Sequence, residues 1–254
     1  MDTFGLLFGC FDFIVTPDNE YYFLEINEQG QFLWIEELNS EIKMLDIFMS
    51  EIKILIQGYA RPAKGGYIAS PTTTLIKDSG KLILVDPGAN DKALLRELAK
   101  EKLKPGDIDI IFLTHYHPDH ILNIRLFPQA DVYDGNTIYR GDREIFYDGK
   151  TIPGAAVKVI ATPGHAHEHA SLLVETKEGK CAIAGDVFWW EDGQEPALDK
   201  KSLLRLTDEF VKDKVALRKS RQKLLQLADY IIPGHGKKFQ VTRRKPGRHS
   251  GGPA

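Results

Sequence analysis

The chain has 254 residues, of which 43% are hydrophobic and 27% are charged, and its formal net charge is −3. This composition indicates a folded globular protein of one large domain with at most a small appendage, and it excludes a long disordered or collagen-like chain. The near-neutral charge argues against a protein that mainly wraps nucleic acid, and no apolar stretch of about 18 residues predicts a membrane span.

The start of the chain predicts a β-hairpin. Residues 11–15 and 21–26 are rich in aromatic and β-branched side chains, which favour strands. Pro17, Asp18 and Asn19 lie between them and favour a turn. A short helix is expected to follow the second strand.

Residues 1–38 also resemble the C-terminal end of ATP-grasp ligases, on the segment FGLLFGCFDFIVTPDNEYYFLEINEQGQFLWIEE. In that family a Glu-x-Asn pair, which Glu25 and Asn27 match here, binds magnesium together with ATP phosphates, since magnesium prefers oxygen ligands. The remainder of such an enzyme is not found in this sequence. We therefore expect an ATP-grasp remnant without ligase activity.

Strand and helix patterns alternate from residue 52 onward. Apolar runs predict strands at 53–57, 67–77, 81–86, 108–113, near 132, and at 157–161, 171–176, 181–184 and 230–232. Leucine spacing and capping residues predict helices from residue 90 or 91 to 103, near 121–127, and over most of 202–228. This order predicts an α/β protein with two sheets and the helices outside them.

Three histidines and an aspartate occur within six residues, directly after a predicted buried strand, in the sequence His115-Tyr116-His117-Pro118-Asp119-His120. A single histidine there would be an ordinary surface residue, but imidazoles and a carboxylate at this density are typical of a metal site. Pro118 favours the start of a helix, which would direct Asp119 and His120 away from His115 and His117. The motif therefore predicts two metal ions.

Four ligands cannot complete two metal sites, and three later residues are further candidates. His165, Asp186 and His235 each follow an apolar strand through a turn that contains glycine. Ligands at strand ends are held rigidly, which a metal site needs. The sequence therefore predicts that these side chains join the histidine motif.

The motifs THYHPDH, TPGH, AGD and PGHG occur in this order over residues 52–240, and together they resemble the metallo-β-lactamase superfamily. The resemblance implies an αββα sandwich with the site at one edge of the two sheets. It also implies two Zn²⁺ ions per chain, with iron or manganese as alternatives. The implied ligands of the first ion are His115, His117 and His165, those of the second are Asp119, His120 and His235, and Asp186 bridges both.

The resemblance further implies a hydrolase in which two metal ions share a hydroxide that attacks a carbonyl carbon or phosphorus, with Asp119 orienting it or accepting a proton. Lactamases of this superfamily usually have cysteine where this chain has Asp186, so β-lactam hydrolysis is expected only as a side activity. The nearest subgroup is associated with RNA cleavage, which favours a ribonuclease. The alternatives are a thioester or lactone hydrolase, like glyoxalase II or the lactonases, and a non-catalytic metal-binding module.

Residues around the motifs suggest supporting roles. His169 is predicted to assist catalysis by orienting a ligand or its loop. The segment 59–67 is expected to rim the cleft, while Trp189 and Trp190 either cover the substrate or pack at the domain edge.

We expect three regions, an ATP-grasp-like remnant and linker at 1–48, a hydrolase domain at 49–240, and a basic flexible tail at 241–254. The expected partner is a small-molecule or RNA substrate and not a membrane, and a homodimer is left open. Cys10 and Cys181 are expected to be free thiols, and the acidic start does not resemble a secretory signal, so the expected location is the cytoplasm.

Overall fold

The computed structural model describes residues 10–15, 21–27 and 49–242. The strands of these residues are β1 (Cys10–Val15), β2 (Tyr21–Asn27), β3 (Glu51–Ile56), β4 (Tyr59–Ala63), β5 (Gly66–Ser70), β6 (Thr73–Asp78), β7 (Lys81–Val85), β8 (Ile110–Phe112), β9 (Asp131–Tyr133), β10 (Thr137–Arg140), β11 (Arg143–Phe146), β12 (Lys158–Ala161), β13 (Ala170–Thr176), β14 (Gly179–Trp189), β15 (Tyr230–His235) and β16 (Phe239–Gln240). The α-helices are α1 (Asp91–Lys100), α2 (Pro118–Ile121), α3 (Lys200–Leu203) and α4 (Lys214–Leu227), and short 3₁₀ turns cover Pro105–Asp107 and Leu122–Leu126.

Two sheets make up the main body. The first has seven strands in the order β11-β10-β9-β8-β7-β6-β3, and the second has five in the order β12-β13-β14-β15-β16. Strands β4 and β5 form a separate antiparallel hairpin. Strands β1 and β2 also pair antiparallel, which confirms the hairpin predicted near the start of the chain. The turn of that hairpin, the helix predicted after it and the tail after Thr242 lie outside the described residues.

Alternation along the strands determines which layer each side chain joins. In β7, Ile83 and Val85 face the second sheet, while Leu84 faces the opposite side and packs in one cluster with Leu94 and Leu98 of α1. In β13, Leu172 and Val174 meet the first sheet, while Leu173 packs with Leu217 and Leu224 of α4. The expected αββα sandwich is confirmed, because helices cover both outer faces.

Three local predictions were wrong. The single strand expected over 67–77 is two strands, β5 and β6, because Pro71 between them has no N–H to donate to a ladder. The long helix expected over 202–228 is α3 and α4, separated by the loop 204–213. The hairpin β10–β11 falls in a stretch for which no strand was predicted, and Gly141 with φ +63° forms its turn.

Among the described residues, no helix combines the length and the apolar character needed to cross a bilayer.

The inter-sheet core makes a stability prediction. Phe112 is fully buried between the sheets, so Phe112→Ala is expected to lower the free energy of unfolding by about 3–5 kcal/mol. Val215→Ala is the control, since this side chain is 66% exposed and its loss is expected to cost within about 0.5 kcal/mol. Urea denaturation of both variants measures the difference, and equal costs would contradict the assigned core.

Candidate metal centre

Strands from both sheets bring their ligand residues to the predicted site. Strand β8 leads through Thr114 into His115, and Pro118 then begins the short helix α2 with His117 at its N-cap. From the second sheet, β12 leads to His165, and β14 and β15 carry Asp186 and His235. The structure thus brings all seven predicted ligands together from four parts of the chain.

The seven side chains form two groups of close donor atoms, within each of which the atoms lie within 4.8 Å of one another. We call the first the His165 group; it contains His115, His117, His165 and Asp186. We call the second the His235 group; it contains Asp119, His120 and His235. This division matches the two ligand sets that the motif resemblance implied.

Asp186 lies between the two groups. Its Oδ2 is 3.3 Å from His165 Nε2 and 3.8 Å from His115 Nε2, whereas its Oδ1 is 3.4 Å from His120 Nε2 and 3.7 Å from His235 Nε2. On the far side of the second group, Asp119 Oδ2 is 3.3 Å from His235 Nε2. One carboxylate therefore faces both groups with different oxygens, which is the geometry a bridging ligand requires.

The Nδ1 atoms of four histidines have hydrogen-bond partners on the side of the ring that faces away from Asp186. His120 Nδ1 is 2.8 Å from Asp86 Oδ2, and His165 Nδ1 is 2.8 Å from Asp208 Oδ2. His115 Nδ1 is 3.0 Å from the Thr114 hydroxyl, and His235 Nδ1 is 3.0 Å from the Tyr59 carbonyl oxygen. These contacts orient the four rings so that each Nε2 points into the shared space.

The donor atoms fit divalent metal ions. The buried atoms His115 Nε2, His120 Nε2 and Asp186 Oδ1 have no hydrogen-bond partner among the described residues, which is costly unless a ligand satisfies them. His165 Nε2 and His117 Nδ1 lie 3.1 Å apart, as two nitrogens of one metal's coordination shell would. A set of imidazoles and carboxylates suits zinc, iron or manganese.

The pKa shifts of the histidines differ between the two groups. Burial opposes the charged form of His120, but Asp186 and Asp86 outweigh it and raise the pKa of His120 well above its usual value. For His235, Asp186 and Asp119 likewise outweigh burial and raise the pKa. In the His165 group, burial and neighbouring histidines lower the pKa of His115 and of His117.

The sequence predicted that the strand before Asp186 ends at residue 184. In the structure, β14 continues through Asp186 to Trp189. Gly185 has φ +49°, and the pairing of β14 with β15 shifts register there, so the aspartate is redirected inside the strand. Strand β15 approaches so closely that a Cβ at Gly234 would lie 1.9 Å from Asp186 Oδ1. Glycine at position 234 is therefore required for the carboxylate to reach the centre.

A cleft of about 460 Å³ opens onto one side of the centre. Its wall contains four of the predicted ligands, His117, Asp119, Asp186 and His235. The other lining residues are apolar or aromatic, namely Ala60, Tyr67, Ala69, Ala89, Pro118, Leu122, Trp189 and Phe210. The hairpin β4–β5 supplies three of them, so the segment that was expected to rim the cleft does so, while Trp190 packs with Phe239 outside it.

His169 lies behind the centre and does not line the cleft. Its ring stacks on His115 at 5.0 Å, its Nδ1 is 3.0 Å from the Thr162 hydroxyl, and burial followed by the charge of His165 lowers its pKa to about 3. Its catalytic role stays a prediction, and this position suits support of His115 better than contact with substrate. The neighbouring His167 is exposed.

Sequence reasoning missed several residues that complete the site. Asp86 accepts hydrogen bonds from the N–H and the hydroxyl of Thr114 in addition to its contact with His120, and its φ of +48° is unusual for aspartate. Its position directly after a buried strand was a usable signal. Asp208 and Phe210 lie in the loop predicted to be helix, where no local pattern marked them.

Comparison with known proteins agrees with this architecture. A family model described as the metallo-beta-lactamase superfamily matches residues 69–134. The protein named metallo-beta-lactamase domain-containing protein 1 of Rattus norvegicus is 32% identical over 246 residues, which cover 82% of this chain and 94% of that protein. The protein of the same name from Xenopus laevis is 30% identical over 202 residues, which cover 76% of this chain and 82% of that protein.

A Thermotoga maritima crystal structure assigned to the metallo-beta-lactamases superposes with a TM-score of 0.54 at 22% identity, covering 76% of this chain and 99% of that one, and it shows the shared fold. The chain belongs to the metallo-beta-lactamase superfamily and is a metal-dependent hydrolase of that superfamily. Its similarity to metallo-beta-lactamase domain-containing protein 1 extends over most of its length.

The pKa shifts predict how metal binding depends on pH. Because the pKa values of His120 and His235 are raised, a metal ion must displace protons from them, and its affinity for the His235 group rises as pH rises through those pKa values. The lowered pKa values of His115 and His117 leave less proton competition in the His165 group. One binding step should therefore weaken more steeply than the other as pH falls.

Calorimetric titration of chelator-stripped protein between about pH 6 and 8, in buffers of different ionisation heat, measures both steps and the protons released. Equal pH dependence of the two steps would contradict the assigned difference.

Proposed function

We propose that the protein hydrolyses an uncharged carbonyl compound, an ester, thioester or lactone, that carries an apolar group. The observation that supports this most is the cleft wall, which combines predicted metal ligands with Tyr67, Leu122, Trp189 and Phe210. Apolar and aromatic walls bind acyl or aryl groups by excluding water from them. Such a substrate would place its carbonyl at the ligand side of the cleft and its apolar group against the wall.

The cleft does not favour the ribonuclease prediction. Affinity for RNA depends on lysine and arginine side chains that neutralise phosphates. Within the described residues, none that line this cleft is lysine or arginine, and Glu191 and Asp192 are tied to the hairpin beside it through Tyr67 and Ala60. An uncharged substrate therefore suits the site better than a polyanion.

We propose that two Zn²⁺ ions occupy the centre, one held by the His165 group and one by the His235 group with Asp186 between them. When bound, such ions lower the pKa of a water molecule and polarise the scissile bond. Iron and manganese suit the same mixture of imidazole and carboxylate ligands and are the alternatives to test.

Asp119 is the residue best placed to handle the proton of the attacking water. It lines the cleft, and although burial alone would raise its pKa, the hydrogen bond with His235 and the charge of His120 lower it. An ionised carboxylate at the cleft wall accepts a hydrogen bond from water and orients its lone pair toward the carbonyl carbon. His165 and His120 remain buried behind it and hold the centre in place.

The remaining sequence expectations are also proposals. We place the hydrolase unit at 49–240, supported by the two sheets and their helices, which lie between Glu51 and Gln240. We propose a cytoplasmic location, supported by the buried free thiol of Cys181, whose pKa burial raises to about 12. We propose a small molecule as the substrate.

Asp119→Asn tests the mechanism. It is expected to lower kcat by about 100-fold or more, since it removes the proton acceptor, while far-UV circular dichroism stays unchanged. Removal of metal with a chelator should abolish hydrolysis, and added zinc should restore it. Asp91→Asn is the control, because Asp91 also lies in the first turn of a helix but not at the centre. Full activity of Asp119→Asn, or of the metal-free protein, would refute this mechanism.

A panel of acyl substrates tests the substrate class. With thioesters or lactones of increasing acyl length, kcat/KM is expected to rise about fourfold for each methylene that enters the cleft, corresponding to about 0.8 kcal/mol. Phe210→Ala should flatten this rise, whereas Val215→Ala, on an exposed helix surface, should not. The proposal fails if a single-stranded RNA is cleaved with a higher kcat/KM than every acyl substrate.

A further inference from the structure

Two buried carboxylates stand behind the centre, one for each group. Asp86 contacts His120 of the His235 group, and Asp208 contacts His165 of the His165 group. Asp86 follows β7 of the first sheet and accepts hydrogen bonds from the N–H and the hydroxyl of Thr114. Asp208 instead comes from the loop 204–213, between α3 and α4, far from any of the ligand motifs in sequence.

Both carboxylate oxygens of Asp208 make hydrogen bonds, one to a predicted metal ligand and one to the backbone of a cleft residue. Oδ2 is 2.8 Å from His165 Nδ1, and Oδ1 accepts a hydrogen bond of 2.9 Å from the N–H of Phe210. The side chain of Asp208 is only 1% exposed. The Phe210 ring lies 6.2 Å from the His117 ring and 5.7 Å from the Trp189 ring, in the cleft wall.

The loop that carries Asp208 is itself fixed to the core. The buried guanidinium of Arg221 donates to the carbonyl oxygens of Val187 at 2.8 Å and Leu206 at 2.6 Å. The N–H groups of Lys212 and Asp213 both donate to the carbonyl oxygen of Gly164, the residue before His165. Contacts of the residues before and after Asp208 therefore fix its position relative to His165.

We propose that Asp208 is a positioning residue that orients His165 for metal binding and, through the same carboxylate, sets the place of Phe210 in the cleft wall. A carboxylate on Nδ1 fixes the ring so that Nε2 faces Asp186 and His117. The inference rests on the proposed two-metal function and adds a residue that controls one of the two ions.

Cobalt(II) titration of the metal-free full-length chain tests this role, because cobalt absorption reports the ligand geometry of each ion. Asp208→Asn retains an oxygen that accepts from Phe210 N–H but weakens the bond to His165. It is expected to weaken one of the two binding steps by about 10- to 100-fold, to change the absorption bands of that step, and to leave the other step unchanged. Asp208→Ala should have the same or a larger effect.

Two controls separate positioning from general loop stability. Asp199 likewise accepts from backbone N–H groups two and three residues onward, at Lys201 and Ser202, so Asp199→Asn should leave both steps and both spectra unchanged. In a His165→Gln background, Asp208→Asn should have no further effect on metal affinity, since Asp208 acts through that ring.

Wild-type affinities and spectra in Asp208→Asn and Asp208→Ala would overturn the positioning role while leaving the two-metal function intact. An effect of Asp208→Asn that persists in His165→Gln would also overturn it. If the wild-type chain bound no cobalt, the proposed function itself would fail, and the inference would fail with it.

Discussion

Five imidazoles and two carboxylates converge on one space, where all but His117 and Asp119 are buried, and the rest of the site depends on how their charges are balanced. Carboxylates and protonated imidazoles are costly to bury unless they are paired or bound to a metal. Asp186 meets this constraint by facing His165 with one oxygen and His120 with the other, and Asp119 adds a second negative charge beside His235. The seven side chains, which come from four separated segments, are therefore one electrostatic unit.

The fold supplies the rigidity that this unit needs. Helices cover both outer faces of the sandwich, so the strands that lead to or carry the ligands are anchored in packed cores on two sides. Hydrogen bonds from Thr114 to Asp86, and from Arg221 to Val187 and Leu206, extend that rigidity to the partners behind the histidines. The orientation of each ring thus derives from the sheet or the helix behind it, as pre-organised sites require.

Much of this could be predicted because its signals are local. The continuous apolar run Ile83, Leu84 and Val85 indicates a strand that is buried on both faces, as in a layered fold. The histidine motif supplies four of the seven metal-binding side chains. Pro71 indicates a break between two strands, but the apolar residues on both sides of it favoured one continuous strand. The loop holding Asp208 could not be predicted, because its non-helical backbone depends on Arg221 and Gly164, which are distant in sequence and meet it only after folding. Tertiary contacts override local helix propensity in such a segment.

The centre is asymmetric, and this asymmetry bears on its chemistry. On one side, His115, His120, His165 and His169 are buried and do not line the cleft. On the other side, Asp119 and His117 face a cleft whose wall is aromatic and aliphatic. Against that wall a charged substrate would lose its hydration with no lysine or arginine among the described lining residues to offset the loss, whereas an acyl group gains from the same loss of water. The apolar wall and the metal-binding residues therefore both support the proposal of an uncharged substrate, since the wall disfavours bound charge and a metal ion held by those residues would polarise a neutral carbonyl.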